Sequence, residues 1–438
     1  MSYKTYDEYN ESKMSWIDKI PSTWDTIKAK HCFNLSGGYA FKSDDFTEEG
    51  IPLVRIGDIT NGTIDFNNCK RLPLEYATMM KEFLVESGDI LIALTGATIG
   101  KIGQVPKTNE KILLNQRVGK LSSDSSNYYK YILSSDLIKK QINLIADGSA
   151  QENISNEDIG NFEIFDIDNG LKQQIANYLD KKTAKIDATI AKNEELIELL
   201  EEKRVALINQ VVTKGLNPDV PMKDSGVEWI GEIPKHWNII NLKKCCETIT
   251  DGSHFSPETT SEGKYYITVR DVSEDSIDFD NAPKISVEDY NVLKRNGCEP
   301  KKGDVLLSKD GTIGKCIIVN DTDFVILSSL GLLRPNNLIK SEYLRYYLLS
   351  DINMKQMYSH IRGSAIKRLT ISIIKELLLI HPSLKEQEDI VNYLNPKIAK
   401  INDTINKIKY NINLLEEYKT SLIHHVVTGK IDVRGEEI

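Results

Sequence analysis

The sequence predicts an α+β protein built as one unit written twice, and three observations predict it. An internal repeat spans nearly all 438 residues, short apolar runs bounded by turn residues fill the front of each copy, and a long narrow apolar stripe closes each copy. The expected architecture is two pseudo-repeated mixed α/β modules separated by two long antiparallel coiled-coil helices, a dumbbell with a pseudo-twofold axis.

The repeat opens with WIDKIPSTW (16–24) against WIGEIPKHW (229–237), an offset of 213. Asp58 of VRIGDI pairs with Asp271 of TVRDV at the same offset, and GDILIAL (88–94) pairs with GDVLLSK (303–309) at 215. GSAQENIS (148–155) against GSAIKRLT (363–370) and VVTKG (211–215) against VVTGK (426–430) keep 215. The expected divisions are therefore a first module at 1–170, a helix at 171–215, a second module at 216–385 with a linker at 216–228, a second helix at 386–430 and a tail at 431–438. Runs such as IPLVRI, DILIAL, KYYITV, DVLLS and CIIV carry strand chemistry. NYYKYILSSDLIKKQINLI and SEYLRYYLLSDINMKQMYSHI have helical spacing, which makes each module mixed.

In the first tail, positions from Ile175 through Lys182, Asn193 and Arg204 to Val211 follow one another in steps of three or four, and eight of eleven are apolar. The second, from Ile390 through Lys397 and Lys419 to Val426, repeats every step with nine apolar. A stripe this narrow is a coiled-coil seam, on a helix of roughly 60 Å. Each tail either pairs with the other, antiparallel, or packs on its own module. Pro396 falls near the start of the second pattern, where a kink is tolerated.

Composition narrows the class of function. The chain is 40% hydrophobic with mean hydropathy −0.34, its first residues MSYKTYDEYNESK are polar, and it holds no long apolar run. Neither a membrane span nor a secretory signal is expected, which places the protein in the cytoplasm. Acidic residues outnumber basic ones by 64 to 55, arguing against bulk-charge coating of nucleic acid. Positive charge is instead concentrated: residues 101–140 hold eight Lys/Arg against three Asp/Glu, and residues 331–370 hold seven against two. The six cysteines show no CxxC pairing and read as reduced, buried thiols.

LTGATIGKIGQV (94–105) and KDGTIGKCIIV (309–319) look like phosphate-binding loops. The spacing fails: three residues separate Gly96 from Gly100, two separate Gly311 from Gly314, and Ile102 stands where Ser or Thr should bind magnesium. A turn between strands tolerates a one-residue change and a phosphate cradle does not, so both stretches are expected to be hairpins. GxSxG, HExxH and GxGxxG are absent, Asn217-Pro218-Asp219 is not a base-flipping tetrad, and His424-His425 has no carboxylate or Cys partner in reach. No active site is expected, and no metal ligands.

What remains is recognition. SGGYAFKSDDF (36–46) answers TDGSHFSPETT (250–260), LNQRVGK (114–120) answers LSSLGLLR (327–334), and GSAQEN (148–153) answers GSAIKR (363–368). These are either ordinary polar loops or two sets of readers on one frame, rich in the side chains that contact base edges and phosphates. Two rivals stand beside DNA reading: a nucleotide-dependent enzyme using the Gly-Lys loops, which ATP titration of the purified chain excludes or supports, and a purely structural scaffold.

The run TKGLNPDVPMKDSGVEWIGEIPKHW (213–237), its counterpart ESKMSWIDKIPSTW (11–24), the paired LTGATIGK and SKDGTIGK turns, the GSA stretches and the Glu386-Gln387 opening of a long helix resemble the specificity subunits of type I restriction–modification systems. Lys172-Gln173-Gln174 is a weaker form of that opening. The resemblance covers essentially the whole chain. It implies a non-catalytic subunit whose two target-recognition domains each read one half of a bipartite, asymmetric site in double-stranded DNA. It also implies two methyltransferase subunits docked on the helices, joined by restriction/motor subunits, with S-adenosylmethionine, ATP and magnesium bound by those partners rather than by this chain.

The residues expected to touch DNA are Tyr39, Lys42, Ser43, Arg55, Lys101, Asn115, Gln116, Arg117, Gln151 and Asn153 in the first module. In the second they are His254, Ser256, Arg270, Lys315, Lys367 and Arg368. Lys182, Arg204, Lys397 and Lys419 recur within the two stripes and are expected to form a docking surface shared by two identical partners.

Overall fold

The structure is a computed structural model that describes residues 3–14, 16–60, 62–146, 153–273, 276–361 and 368–436. The chain divides into two compact units, Met1–Asn193 with Tyr410–Ile438, and Glu194–Lys409. The long helices run Asn169–Lys214 and Leu384–Val427, so each unit holds one module and half of each helix. The compact units thus cut across the linear order, because the end of the second helix packs with the first module.

Unit 1 is built on a six-stranded mixed sheet in the order Asn34–Gly37, Val118–Ser122, Ile90–Ala93, Ile102–Gln104, Gly62–Ile64, Ile59–Thr60. Beside it lies a four-stranded sheet, Lys70–Leu72, Ile51–Val54, Ile112–Leu114, Leu84–Val85. Every residue of Ile51–Val54 and of Ile90–Ala93 is buried, as expected of strands covered on both faces. Unit 2 carries Cys246–Asp251, Leu330–Pro335, Val305–Ser308, Cys316–Ile318 in one sheet and Thr259–Thr260, Lys284–Ile285, Lys264–Ile267, Phe324–Ile326 in another. In both units a parallel pair links the early and late parts of the module: Ile112–Leu114 beside Ile51–Val54, and Phe324–Ile326 beside Lys264–Ile267.

The Gly-Lys stretches are hairpins. Ile90–Ala93 pairs antiparallel with Ile102–Gln104, and Val305–Ser308 with Cys316–Ile318. Gly96, Gly100, Gly311 and Gly314 all have positive φ, a conformation that Cβ-bearing residues rarely adopt. The Gly-Asp that opens each hairpin fixes its start: Asp89 accepts the Glu86 N–H at 2.9 Å and the Ser122 hydroxyl at 2.6 Å, while Asp304 accepts the Lys301 N–H at 2.7 Å and both ends of the Arg334 fork.

Two helix pairs, Ser126–Ser134 with Asp136–Ala146 and Ser341–Leu348 with Asp351–Ser359, pack on these sheets. In unit 1, Ile175, Leu179 and Ile186 of the first long helix share a core with Leu422 and Val426 of the second. In unit 2, Ile208, Val211 and Val212 share a core with Ile390, Leu394 and Ile398. Every stripe position of the first helix is buried or half-buried. The second helix continues through Pro396, and there the stripe departs from expectation: Lys397 is exposed, and its neighbour Ile398 is buried.

Five of the six cysteines are buried, Cys32 is half-buried, and none forms a disulfide. Burial pushes the Cys245 thiol up to about 11 and, with help from Cys245 and Asp304, Cys246 up to about 12. Among the described residues no helix is long and apolar enough to cross a membrane.

Candidate nucleic-acid interface

The predicted loops of unit 1 are tied into one lattice by backbone hydrogen bonds. Tyr39 donates to the Leu114 carbonyl at 2.9 Å, Gln116 to Tyr39 at 3.0 Å, and Asn115 to Val54 at 3.0 Å. Leu94 donates to Arg117 at 3.0 Å and Ile154 to Leu94 at 2.9 Å. Gly38 makes this possible, since a Cβ there would overlap the Leu114 and Asn115 carbonyl oxygens. The lattice brings Tyr39, Asn115, Gln116, Arg117 and Asn153 together from three distant parts of the sequence.

Unit 2 repeats the lattice bond for bond. Ser253 donates to Ile326 at 2.8 Å, Ser328 to Ser253 at 2.8 Å, Leu327 to Ile267 at 2.9 Å, Lys309 to Ser329 at 3.0 Å, and Leu369 to Lys309 at 2.9 Å. Gly252 takes the place of Gly38, against the Ile326 and Leu327 carbonyls. The parallel bridges Tyr39 with Asn115 and Ser253 with Leu327 fix the correspondence. Leu327 therefore stands where Asn115 does, one residue away from the match of LNQRVGK to LSSLGLLR at their leucines. The counterparts of Asn115, Gln116 and Arg117 are Leu327, Ser328 and Ser329.

A repeated staple shapes the neighbouring turn. Asp58 accepts the Arg55 N–H at 2.8 Å, and Asp271 accepts the Thr268 N–H at 2.7 Å. Burial and then the Asp58 charge push the Cys69 thiol up to about 12.

The predicted residues fare differently. In unit 1 the ring of Tyr39 is exposed and leans on Phe41 and Phe83, Lys42 and Ser43 open a short 3-10 turn, and Gln116, Arg117 and Lys101 are exposed. Asn115 caps its own loop by accepting the Arg117 N–H at 3.3 Å. Arg55 turns back to Asp58, its Nε 3.6 Å from the carboxylate. Asn153 bridges Thr95. In unit 2, Ser256 and Arg270 are exposed, whereas the Lys315 ammonium donates to the Val272 carbonyl at 2.7 Å and holds the fold. Gln151 and Lys367 lie outside the described residues.

His254 and Arg368 are the ends of a chain of charges that the sequence reading missed. His254 lies 3.3 Å from Asp251, Asp251 is 3.2 Å from Lys309, Lys309 is 3.9 Å from Asp310, and Asp310 accepts Arg368 Nε at 2.7 Å. Lys309 is only 2% exposed. A charge that deep needs partners, and a lysine ending the apolar run DVLLS was the one available signal. The same lattice points in unit 1 carry Ala40, Gly37, Leu94, Thr95 and Asn153, all uncharged.

The stripe cations are engaged with neighbouring side chains. Lys182 lies over the Tyr178 ring and Lys397 over Tyr393, at 5.3 and 4.7 Å. Arg204 donates to Asn402 at 3.0 Å and Lys419 to Asp187 at 2.6 Å. The Lys182–Tyr178 contact recurs as Lys397–Tyr393, and a second surface recurs as well. In unit 1 a groove of about 630 Å³ is lined by Asp136, Glu416, Glu417 and His424, and in unit 2 one of about 670 Å³ is lined by Asp351, Glu201, Glu202 and Asn209, each residue 215 apart from its counterpart.

One recognition frame, present twice with unlike side chains, defines a two-module recognition protein. The family model described as the type I restriction modification DNA specificity domain matches twice, at residues 21–199 and 234–414. The chain belongs to that family. It is 24% identical over 434 residues to the type I restriction enzyme EcoBI specificity subunit of Escherichia coli, covering 94% of this chain and 88% of the relative. It is 23% identical over 440 residues to the putative MjaX specificity subunit of Methanocaldococcus jannaschii, covering 98% of each. The fold matches a solved chain described in work on complex assembly and conformational transition of the type I R-M system, with TM-score 0.65, 16% identity and coverage of 94% and 99%.

Proposed function

We propose that this chain is the DNA sequence-specificity subunit of a type I restriction–modification complex, each unit reading one half of a bipartite, asymmetric DNA site. The observation that carries this is the duplicated lattice: five backbone bonds are the same in both units while the side chains mounted on them differ in charge. One frame with two sets of readers suits two unlike half-sequences. The chain supplies recognition; methyl transfer and cleavage belong to partner subunits, which carry S-adenosylmethionine, ATP and magnesium. The setting is the cytoplasm, where the DNA is.

In this reading the long helices pair antiparallel as a coiled coil and hold the modules apart in a pseudo-twofold dumbbell. Supporting it, Asp187 of the first helix meets Lys419 late in the second within unit 1, and Arg204, further along the first, meets Asn402, earlier in the second, within unit 2. Two methyltransferase subunits dock on equivalent faces. The two acidic grooves support this, because the carboxylates Glu201, Glu202 and Asp351 recur as Glu416, Glu417 and Asp136 while other lining positions have changed. Reversing Glu201 and Glu202 to Lys is expected to leave one methyltransferase subunit bound instead of two, and reversing Glu416 and Glu417 as well to leave none. Native mass spectrometry of the reconstituted complex counts them, and unchanged stoichiometry refutes this docking surface.

Mapping methylated bases in DNA treated with the reconstituted methyltransferase tests the main reading. The expected result is a motif with two unlike halves and a fixed gap. A continuous palindrome overturns it.

A further inference from the structure

From the charge chain of unit 2 we infer that Arg368, steered by Asp310, is a guanine-reading residue of the second module. The inference rests on the DNA-reading function proposed above and names the base one of its side chains selects. Arg368 is half exposed, at 52%, yet its Nε is fixed by Asp310 Oδ1 at 2.7 Å. Asp310 is itself only 17% exposed and is anchored from behind by Lys309, which Asp251 holds at 3.2 Å. An antiparallel bridge between Asp310 and Arg368 fixes the two backbones as well. The guanidinium is therefore held through Nε, and its two Nη nitrogens form the remaining edge of a rigid fork.

That edge has the geometry of the two acceptors, O6 and N7, that guanine presents in the major groove. Phosphate is the competing ligand for an arginine, and the surroundings disfavour it. Asp251 and Asp310 place two carboxylates among Lys309, Arg368 and His254, so a phosphate approaching Arg368 meets a nearby negative charge. A neutral base edge meets no such repulsion, and Asp310 can accept from the cytosine amino group paired to that guanine. The contrast with unit 1 confines the preference: the lattice point of Arg368 is occupied there by Asn153, and that of Asp310 by Thr95.

The test uses the full chain assembled with its methyltransferase subunits, comparing the methylated motifs of wild type, Arg368→Gln, Arg368→Lys and Asp310→Asn. The expected result is one G·C position, confined to one half of the motif, whose discrimination falls about 10- to 100-fold in both Arg368 variants, because lysine keeps the charge and lacks the fork. Asp310→Asn is expected to weaken the same position and no other. An unchanged motif in the Arg368 variants overturns the inference and leaves the DNA-reading function standing. So does a uniform loss of binding across all sequences that Arg368→Lys restores, which marks a phosphate contact. A wild-type complex with no bipartite motif overturns both.

Discussion

Replacing Glu386 by alanine is expected to destabilise the second unit by about 3 kcal/mol, a large effect for a partly exposed residue. One carboxylate oxygen accepts from Trp237 Nε1 at 2.9 Å and from His236 Nε2 at 2.7 Å, and the other accepts the Ser383 hydroxyl at 2.7 Å and the Ser383 N–H at 3.1 Å. Trp237 is 2% exposed, so the variant strands a buried indole N–H and removes the carboxylate half of the capping box that Ser383 and Glu386 form at the start of the second long helix. Burial alone would raise the Glu386 carboxyl, but hydrogen bonds from His236, Trp237 and Ser383 outweigh it and hold the group at about 2. A depressed carboxyl contributes stability above its unfolded value, near 4.3, and loses it as pH falls toward 2. Hydrogen exchange followed by mass spectrometry between pH 5 and pH 2.5 should therefore show unit 2 opening progressively around residues 236–242 and 383–390, and Glu386→Ala should remove that pH dependence while opening the region at every pH.

Unit 1 provides the internal control. Trp24, the repeat partner of Trp237, is equally buried, but its indole nitrogen has no hydrogen-bond partner, and Leu171 stands where Glu386 does. The first long helix opens on Asp168, whose carboxylate accepts the Leu171 N–H at 3.0 Å, and no carboxylate there holds the buried Trp24 indole. A carboxylate that holds a buried indole, and releases it in acid, belongs to the second copy alone. If unit 1 shows the same pH dependence around residues 23–29, which lie beside Trp24, the assignment to Glu386 is wrong.

The contrast also shows which features could be read from the sequence. Repeated strings exposed the duplication, and side-chain spacing exposed the long helices, because burial of one face leaves a periodic trace. The hairpins were legible because a deleted residue between Gly311 and Gly314 is compatible with a turn and incompatible with a phosphate cradle. The lattice itself is made of main-chain bonds, which any residue can form, so only Gly38 and Gly252 betray it. For the same reason side-chain identity matches Leu327 to Leu114, although the parallel bridges put Leu327 in the place that Asn115 holds in unit 1. Lys309 is hard to read from sequence because a lysine at the end of a strand usually reaches water, and its partner Asp251 lies far away in the chain where only the fold brings it near. Lys315 carried the opposite error: a turn lysine that looks available to phosphate is held by a carbonyl.

Gly38→Ala and Gly252→Ala should each erase recognition of one half of the DNA site and leave the other half intact. The added Cβ at Gly252 would overlap the Ile326 and Leu327 carbonyl oxygens, and at Gly38 those of Leu114 and Asn115. Backbone oxygens cannot rotate away as a side chain would, so the strand and the loop must separate, at a cost of about 1–3 kcal/mol by the measure of overpacked cores. Separation breaks the bonds from Tyr39 to Leu114 and from Gln116 to Tyr39 in unit 1, or from Ser253 to Ile326 and from Ser328 to Ser253 in unit 2. In unit 2 it also pulls Asp251, the residue before Gly252, away from buried Lys309. Gly57→Ala is the control for unit 1, since a Cβ there meets nothing within 4 Å and its φ is not positive. With the reconstituted methyltransferase, Gly38→Ala and Gly252→Ala are each expected to show a motif degenerate in a different half, with at least tenfold lower methylation, while Gly57→Ala matches wild type. Degeneracy of both halves in either variant would mean that the two frames do not read independently, because each substitution touches only the lattice of its own unit.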